Sequence, residues 1–124
     1  MAARLDGAGQ AKLSTLDEAT TLLQHVHAVV ERMAIAVRAQ QDTRAIKQQV
    51  QRAATPLVGL LKPQFGLIAD QITQLILVTT RGGSEQTKVR ALREMVAQVR
   101  TQLELSTARV RELHTVEEAK DEPQ

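Results

Sequence analysis

The 124-residue sequence contains no cysteine and only one aromatic residue, Phe65. Without thiols the chain can form neither disulfides nor thiolate metal sites, and a cysteine nucleophile is excluded. A core without aromatic rings has to be aliphatic. Aliphatic side chains pack well between helices, whereas β-sandwiches and nucleotide pockets usually draw on aromatic residues. The composition therefore favours an all-α fold.

Long apolar runs and a strong charge of one sign are missing as well. The most apolar segment, residues 57–78, is interrupted by one lysine, one aspartate and three glutamines, so no membrane span is predicted. The first residues lack the apolar core of a signal peptide. The formal net charge is +2, far from the dense basic surface of typical nucleic-acid binders, so nucleic acid is an unlikely partner. We expect a cytoplasmic protein, with a domain of a larger, exported protein as the alternative.

Two segments carry apolar residues at alternating intervals of three and four, the spacing of one helix face. The first segment, residues 15–40, opens with Thr15 and Glu18, which have the spacing of a capping box. The last segment, residues 84–116, keeps the spacing throughout, with Ser106 as its one polar member. The two stripes consist of Leu16, Ala19, Leu23, Val26, Val30, Met33 and Val37, and of Val89, Leu92, Val96, Val99, Leu103, Ser106, Val110 and Leu113.

Between these segments, residues 43–80 carry a third stripe whose spacing slips near Pro56 and Pro63. Each proline removes a backbone donor and disfavours helical geometry in the residue before it. No glycine-rich or polar loop at either proline indicates a chain reversal, so we favour one bent arm. Four helices, split near Pro63, are the alternative. Asp42 is predicted to cap the start of this arm.

The glycine pair at 82–83, followed by Lys88, invites comparison with a phosphate-binding loop. A Walker motif places a glycine directly before its lysine, but here Thr87 precedes Lys88, so the motif fails. Gly82 is instead predicted to end one helix and Ser84 to cap the next. The stretch therefore predicts a hairpin between two antiparallel helices.

Together these patterns predict an antiparallel, up-and-down helical bundle over residues 15–116, with arms at 15–40, 43–80 and 84–116. Residues 1–14 are predicted to be a flexible N-terminal segment. Residues 117–124, which hold four acidic residues and one lysine, are predicted to be an acidic flexible tail.

Catalytic and metal-binding patterns are not found in the sequence. His25 and His27 lie about 200° apart around a helix and cannot share one metal ion. Asp70 is two residues from two stripe positions, so we expect a solvated acid on the opposite face. The sequence therefore predicts a protein that is not an enzyme and that needs no cofactor.

Two places could bind a small ligand. Arg90, Arg93 and Arg100 share one face of the last helix and are candidates for contact with an anion or an acidic partner. A second candidate lies at the predicted bend, where missing side chains at two glycines could leave an apolar groove beside the only aromatic ring. The groove residues are Gly59, Leu60, Phe65 and Gly66.

The favoured function is a non-catalytic interaction module that acts through self-association or through a partner helix. At about 1.5 Å per residue, the last predicted helix is longer than the first. Val110, Leu113 and Val116 would continue the apolar stripe beyond the end of the first helix, and are the predicted interface. A ligand-binding sensory or carrier bundle is the alternative, and a weak basic nucleic-acid binder is the third possibility.

Overall fold

The computed structural model describes the backbone of residues 3–117 and the side chains of residues 6–114. This part of the chain forms four α-helices and two three-residue strands, which confirms the all-α bundle. In chain order the elements are β1 (Ala3–Leu5), α1 (Gly7–Arg38), α2 (Arg44–Leu61), α3 (Gly66–Val78), α4 (Glu85–His114) and β2 (Thr115–Glu117).

The helices run alternately up and down, and each packs mainly against two neighbours, with α4 closing back on α1. Hydrogen bonds fix the directions. Gln51, in the first half of α2, donates to Thr79 at the end of α3 (2.7 Å), so α2 and α3 are antiparallel. Lys47, near the start of α2, reaches Glu85 at the start of α4 (3.1 Å).

The core is aliphatic, as the composition predicts. The stripe of α1 is buried from Leu16 to Met33, and the stripe of α4 is buried from Val89 to Leu103. Ser106 is half-buried, Val110 is buried and Leu113 is 70% exposed. Both predicted outer stripes therefore face the core, except at the end of α4.

The first helix begins at Gly7 and not at Thr15, so residues 7–14 of the predicted N-terminal segment belong to the helix. Asp6 is the cap, because its carboxylate accepts a hydrogen bond from the Gly9 N–H (2.6 Å). The Thr15 hydroxyl donates to the Ala11 carbonyl (3.2 Å) inside the helix. With 32 residues in α1 and 30 in α4, the predicted difference in helix length does not exist.

The single bent arm is also wrong, since α2 and α3 are separate helices and the four-helix alternative is correct. Pro56 lies inside α2 without ending it. The chain reverses over residues 62–65, where the Phe65 N–H donates to the Leu61 carbonyl (2.7 Å). A turn this short is sufficient between antiparallel helices, so the reversal needs no glycine-rich loop.

The remaining predicted turns are close to those observed. Ser84 accepts a hydrogen bond from the Thr87 N–H (3.1 Å) and caps α4 as predicted. The left-handed glycine before it is Gly83, with φ of 106°, and not Gly82. Asp42 accepts from the Arg44 N–H (3.0 Å) at the start of α2.

The two strands lie side by side at the end of the bundle where α1 begins and α4 ends. They pair antiparallel, with Ala3 opposite Glu117 and Leu5 opposite Thr115. The sequence patterns indicated neither strand. The predicted acidic tail falls, after Glu117, on residues 118–124, which lie outside the described residues.

Candidate functional site

The described residues include the acidic and histidine side chains that a metal site would require. Among them, no three acidic or histidine side chains are grouped closely enough to hold a metal ion. His25 and Asp70 are exposed, and His27 is half-buried. None of the described helices combines the length and the apolar content needed to cross a bilayer.

The predicted groove at Gly59 and Gly66 lacks the walls it would need. A Cβ atom built on either glycine would meet no neighbouring atom within 4 Å. Both positions are exposed, because α2 and α3 fold back on each other and turn these positions towards solvent. Leu60 and Phe65 are half-buried and pack against the core.

Phe65 instead lines a depression of about 230 Å³ together with Val110 and Leu113. The turn between α2 and α3 thus reaches α4 at Val110 and covers the apolar stripe there. One turn further on, no residue of the described part of the chain covers Leu113 in the same way, and it is 70% exposed. The structure therefore unites one residue of the predicted groove with two of the predicted interface, whereas the Val116 side chain lies outside the described ones. The polar lining consists of Lys12, Gln64, Ser106, Arg109 and His114.

Beside this depression is a surface that we name the α4 end face, formed by Leu105, Arg109, Glu112 and Leu113. Leu105 is 55% exposed and Leu113 is 70% exposed. They are spaced four residues to either side of Arg109, so all three lie on one side of the helix. Arg109 and Glu112 are exposed. Neither side chain forms a hydrogen bond or an ion pair within the described part of the chain.

Next to this face, side-chain contacts connect the start of α1 to the end of α4. His114 lies between Asp6 (Nδ1 to carboxylate oxygen, 3.4 Å) and Lys12 (Nε2 to Nζ, 3.1 Å). The hydrogen bond from the Gly9 N–H, with smaller contributions from His114 and Lys12, lowers the pKa of Asp6. A Cβ atom on Gly9 would lie 2.5 Å from the His114 Cβ, so only glycine allows this approach of the two helices.

The three predicted anion contacts do not converge on one site. Arg93 donates two hydrogen bonds to Glu31 of α1, both 2.8 Å, and these lower the pKa of Glu31 and raise that of Arg93. Arg90 and Arg93 line one depression together with Arg38. Arg100 lines a different one further along α4.

A polar cluster lies at the opposite end of the bundle, where α4 begins. The sequence patterns did not predict it. The Glu85 carboxylate accepts hydrogen bonds from Thr43 (2.9 Å), Lys47 (3.1 Å) and Lys88 (3.1 Å). Burial opposes the charge on Glu85, but these three donors outweigh it and its pKa is lowered. The cluster joins the α1–α2 turn, α2 and α4. Its contacts from Thr43 and Lys47 to Glu85 have no local signal, because these residues are 42 and 38 positions from Glu85 in sequence.

Comparison with known protein families, with curated proteins and with solved structures gives no match to this chain.

Proposed function

We propose that the protein is a non-catalytic helical interaction module that self-associates through the α4 end face. The observation that carries the proposal is the pair of exposed leucines, Leu105 and Leu113, on either side of Arg109, with Glu112 close by; neither charged side chain pairs with a side chain of residues 6–114. Apolar side chains exposed together, next to unsatisfied charges, are typical of an interaction surface.

The charges on this face are self-complementary. Arg109 and Glu112 are three residues apart, so two antiparallel α4 helices related by a twofold axis can place each arginine opposite the other copy's glutamate. In that register Leu113 of one copy lies opposite position 108 of the other. Leu113 is then about 4.5 Å along the helix axis from Leu105 of the other copy, close enough for the two side chains to make contact. One arrangement thus satisfies both ion pairs and covers all four leucines.

The neighbouring depression can receive an apolar side chain of the second copy. Its floor is Phe65 and Val110, and its volume of about 230 Å³ exceeds that of one leucine side chain. The two α4 ends overlap over only a short length, however. The area that each copy buries is therefore well below the roughly 800 Å² per partner of standard interfaces. We therefore expect a weak dimer whose population depends on concentration.

Removing one exposed leucine tests the proposal. Leu113→Asp places a charge in the proposed interface but should leave the fold intact, because this side chain is already 70% exposed. Light scattering coupled to size exclusion, from about 10 to about 500 μM, should show a mass that rises with concentration for the unmodified protein only. Peptide absorbance should supply the concentrations, since the chain has no tyrosine or tryptophan.

Ile35→Asp is the matched control, because Ile35 is 57% exposed on α1 at the opposite end of the bundle. This variant should associate like the unmodified protein. A monomer at every concentration, or equal loss of association in both variants, would contradict the proposal.

A further inference from the structure

A second depression, of about 340 Å³, lies between residues 34–38 of α1 and residues 86–94 of α4. It is at the end of the bundle opposite the α4 end face. Its floor is apolar, because Ala34 and Val89 are buried and Val37 is half-buried. An apolar floor of this size, with a few polar groups at the rim, is the usual composition of a small-molecule site.

The rim of the depression is basic. Arg38, Arg90 and Arg93 line it together with Glu94 and Gln86. Arg93 donates paired hydrogen bonds to Glu31, which hold its guanidinium in place, and Arg38 contributes to the lowered pKa of Glu31 through its charge alone.

Arg38 and Arg90 are exposed. Their side chains form no hydrogen bond or close ion pair with another described residue. Their guanidinium groups are therefore free to bind a ligand. An arginine donates in a fork that matches the two oxygens of a carboxylate.

The charge count indicates which anion fits. Three arginines against Glu31 and Glu94 leave one positive charge around the depression. A monoanion neutralises this charge, whereas a dianion would add repulsion from Glu94. The apolar floor favours in addition a ligand with an alkyl part, because a bare inorganic anion would leave the half-buried Val37 partly in water.

We propose that this depression binds an aliphatic monocarboxylate, with the alkyl chain on Ala34, Val37 and Val89 and the carboxylate between Arg38 and Arg90. The site is separate from the proposed dimer contact, and its test does not depend on self-association.

Sodium octanoate is a suitable probe, and nitrogen–proton correlation spectra of the labelled protein can locate where it binds. Octanoate should shift the amide signals of residues 34–38 and 86–94, with a dissociation constant on the order of 0.1 to 1 mM. Arg38→Gln and Arg90→Gln should each weaken binding about tenfold, because each removes a charge-assisted hydrogen bond. The neutral analogue 1-octanol should bind at least about tenfold more weakly than octanoate.

Arg100→Gln is the matched control, since Arg100 is an exposed arginine of α4 that does not line this depression. It changes the net charge by the same amount and should leave octanoate binding unchanged. Circular dichroism should show the same helical signal in all variants. Equal weakening in all three variants, shifts centred on other exposed leucines, or octanol binding as tight as octanoate would overturn the proposal.

Discussion

Gly9 is a single residue on which the junction of α1 and α4 depends. Helical glycines usually cost stability, and replacing one with alanine favours a helix by up to about 1 kcal/mol. At Gly9 the new methyl group would lie 2.5 Å from the His114 Cβ and 3.2 Å from an Asp6 carboxylate oxygen. The clash involves the Cβ atom of His114, which rotation of the side chain cannot move away.

Gly9→Ala should therefore destabilise the protein, by about 1 to 2 kcal/mol after the gain in helix propensity. Gly59→Ala is the matched change, because Gly59 lies in α2 and a Cβ atom there meets nothing within 4 Å. It should stabilise the fold by a few tenths of a kcal/mol up to about 1 kcal/mol. Denaturation in urea measures both, and a Gly9→Ala variant as stable as Gly59→Ala would refute the close approach.

Glu85 links separate elements at the other end of the bundle. Its carboxylate binds donors from the α1–α2 turn, from α2 and from α4. Lys88 is only 7% exposed, so without Glu85 its ammonium group would be buried beside no carboxylate. Glu85→Gln should lower stability by roughly 1 to 2 kcal/mol at pH 7, which corresponds to a few degrees in Tm.

The same cluster predicts a pH dependence. Because the pKa of Glu85 is lower in the folded protein than its ordinary value of 4.5, its contribution is fully present above that value and is lost as the pH falls through the lowered pKa. The difference in Tm between the unmodified protein and Glu85→Gln should therefore be constant near neutral pH and shrink below about pH 4.5. A difference that stays unchanged down to pH 3 would show that the carboxylate charge does not stabilise the cluster.

The elements that the sequence predicts correctly are those set by local signals. The stripe of α4 and the cap at Ser84 follow from spacing and from a side chain that binds its own turn. The start of α1 was missed because Asp6 caps a stretch of small residues with little apolar periodicity. The reversal at Pro63 was missed because a proline predicts a break but not its angle. Packing of α2 against α3 decides that angle.

On the scale of the whole molecule, the α2–α3 turn lies where the apolar stripe of α4 changes from buried to exposed. α2 and α3 have 18 and 13 residues, whereas α1 and α4 have 32 and 30. The turn covers α4 at Val110 through Phe65 and leaves Leu113 uncovered. The prediction of Leu113 as a contact residue stays a prediction, since the structure shows that it is exposed and that the helix-length argument for it was wrong.

The surfaces themselves could be predicted only in part. Arg90 and Arg93 share a helix face, which their spacing shows. The ion pair of Arg93 with Glu31 cannot be read from the sequence, because the two partners are 62 residues apart. The same holds for Arg38, which the fold brings to the other side of the depression. Contacts between distant residues follow from the packing of four helices, and no local pattern encodes them.

The central claim is that two copies meet through the α4 end face, with Arg109 of each opposite Glu112 of the other. Exchanging these charges tests it most directly. Arg109→Glu and Glu112→Arg should each abolish concentration-dependent association in light scattering, because each sets like charges against each other across the twofold axis. The double variant restores opposite charges and should associate like the unmodified protein. Failure of the double variant to recover association, or single variants that still dimerise, would contradict the proposed interface.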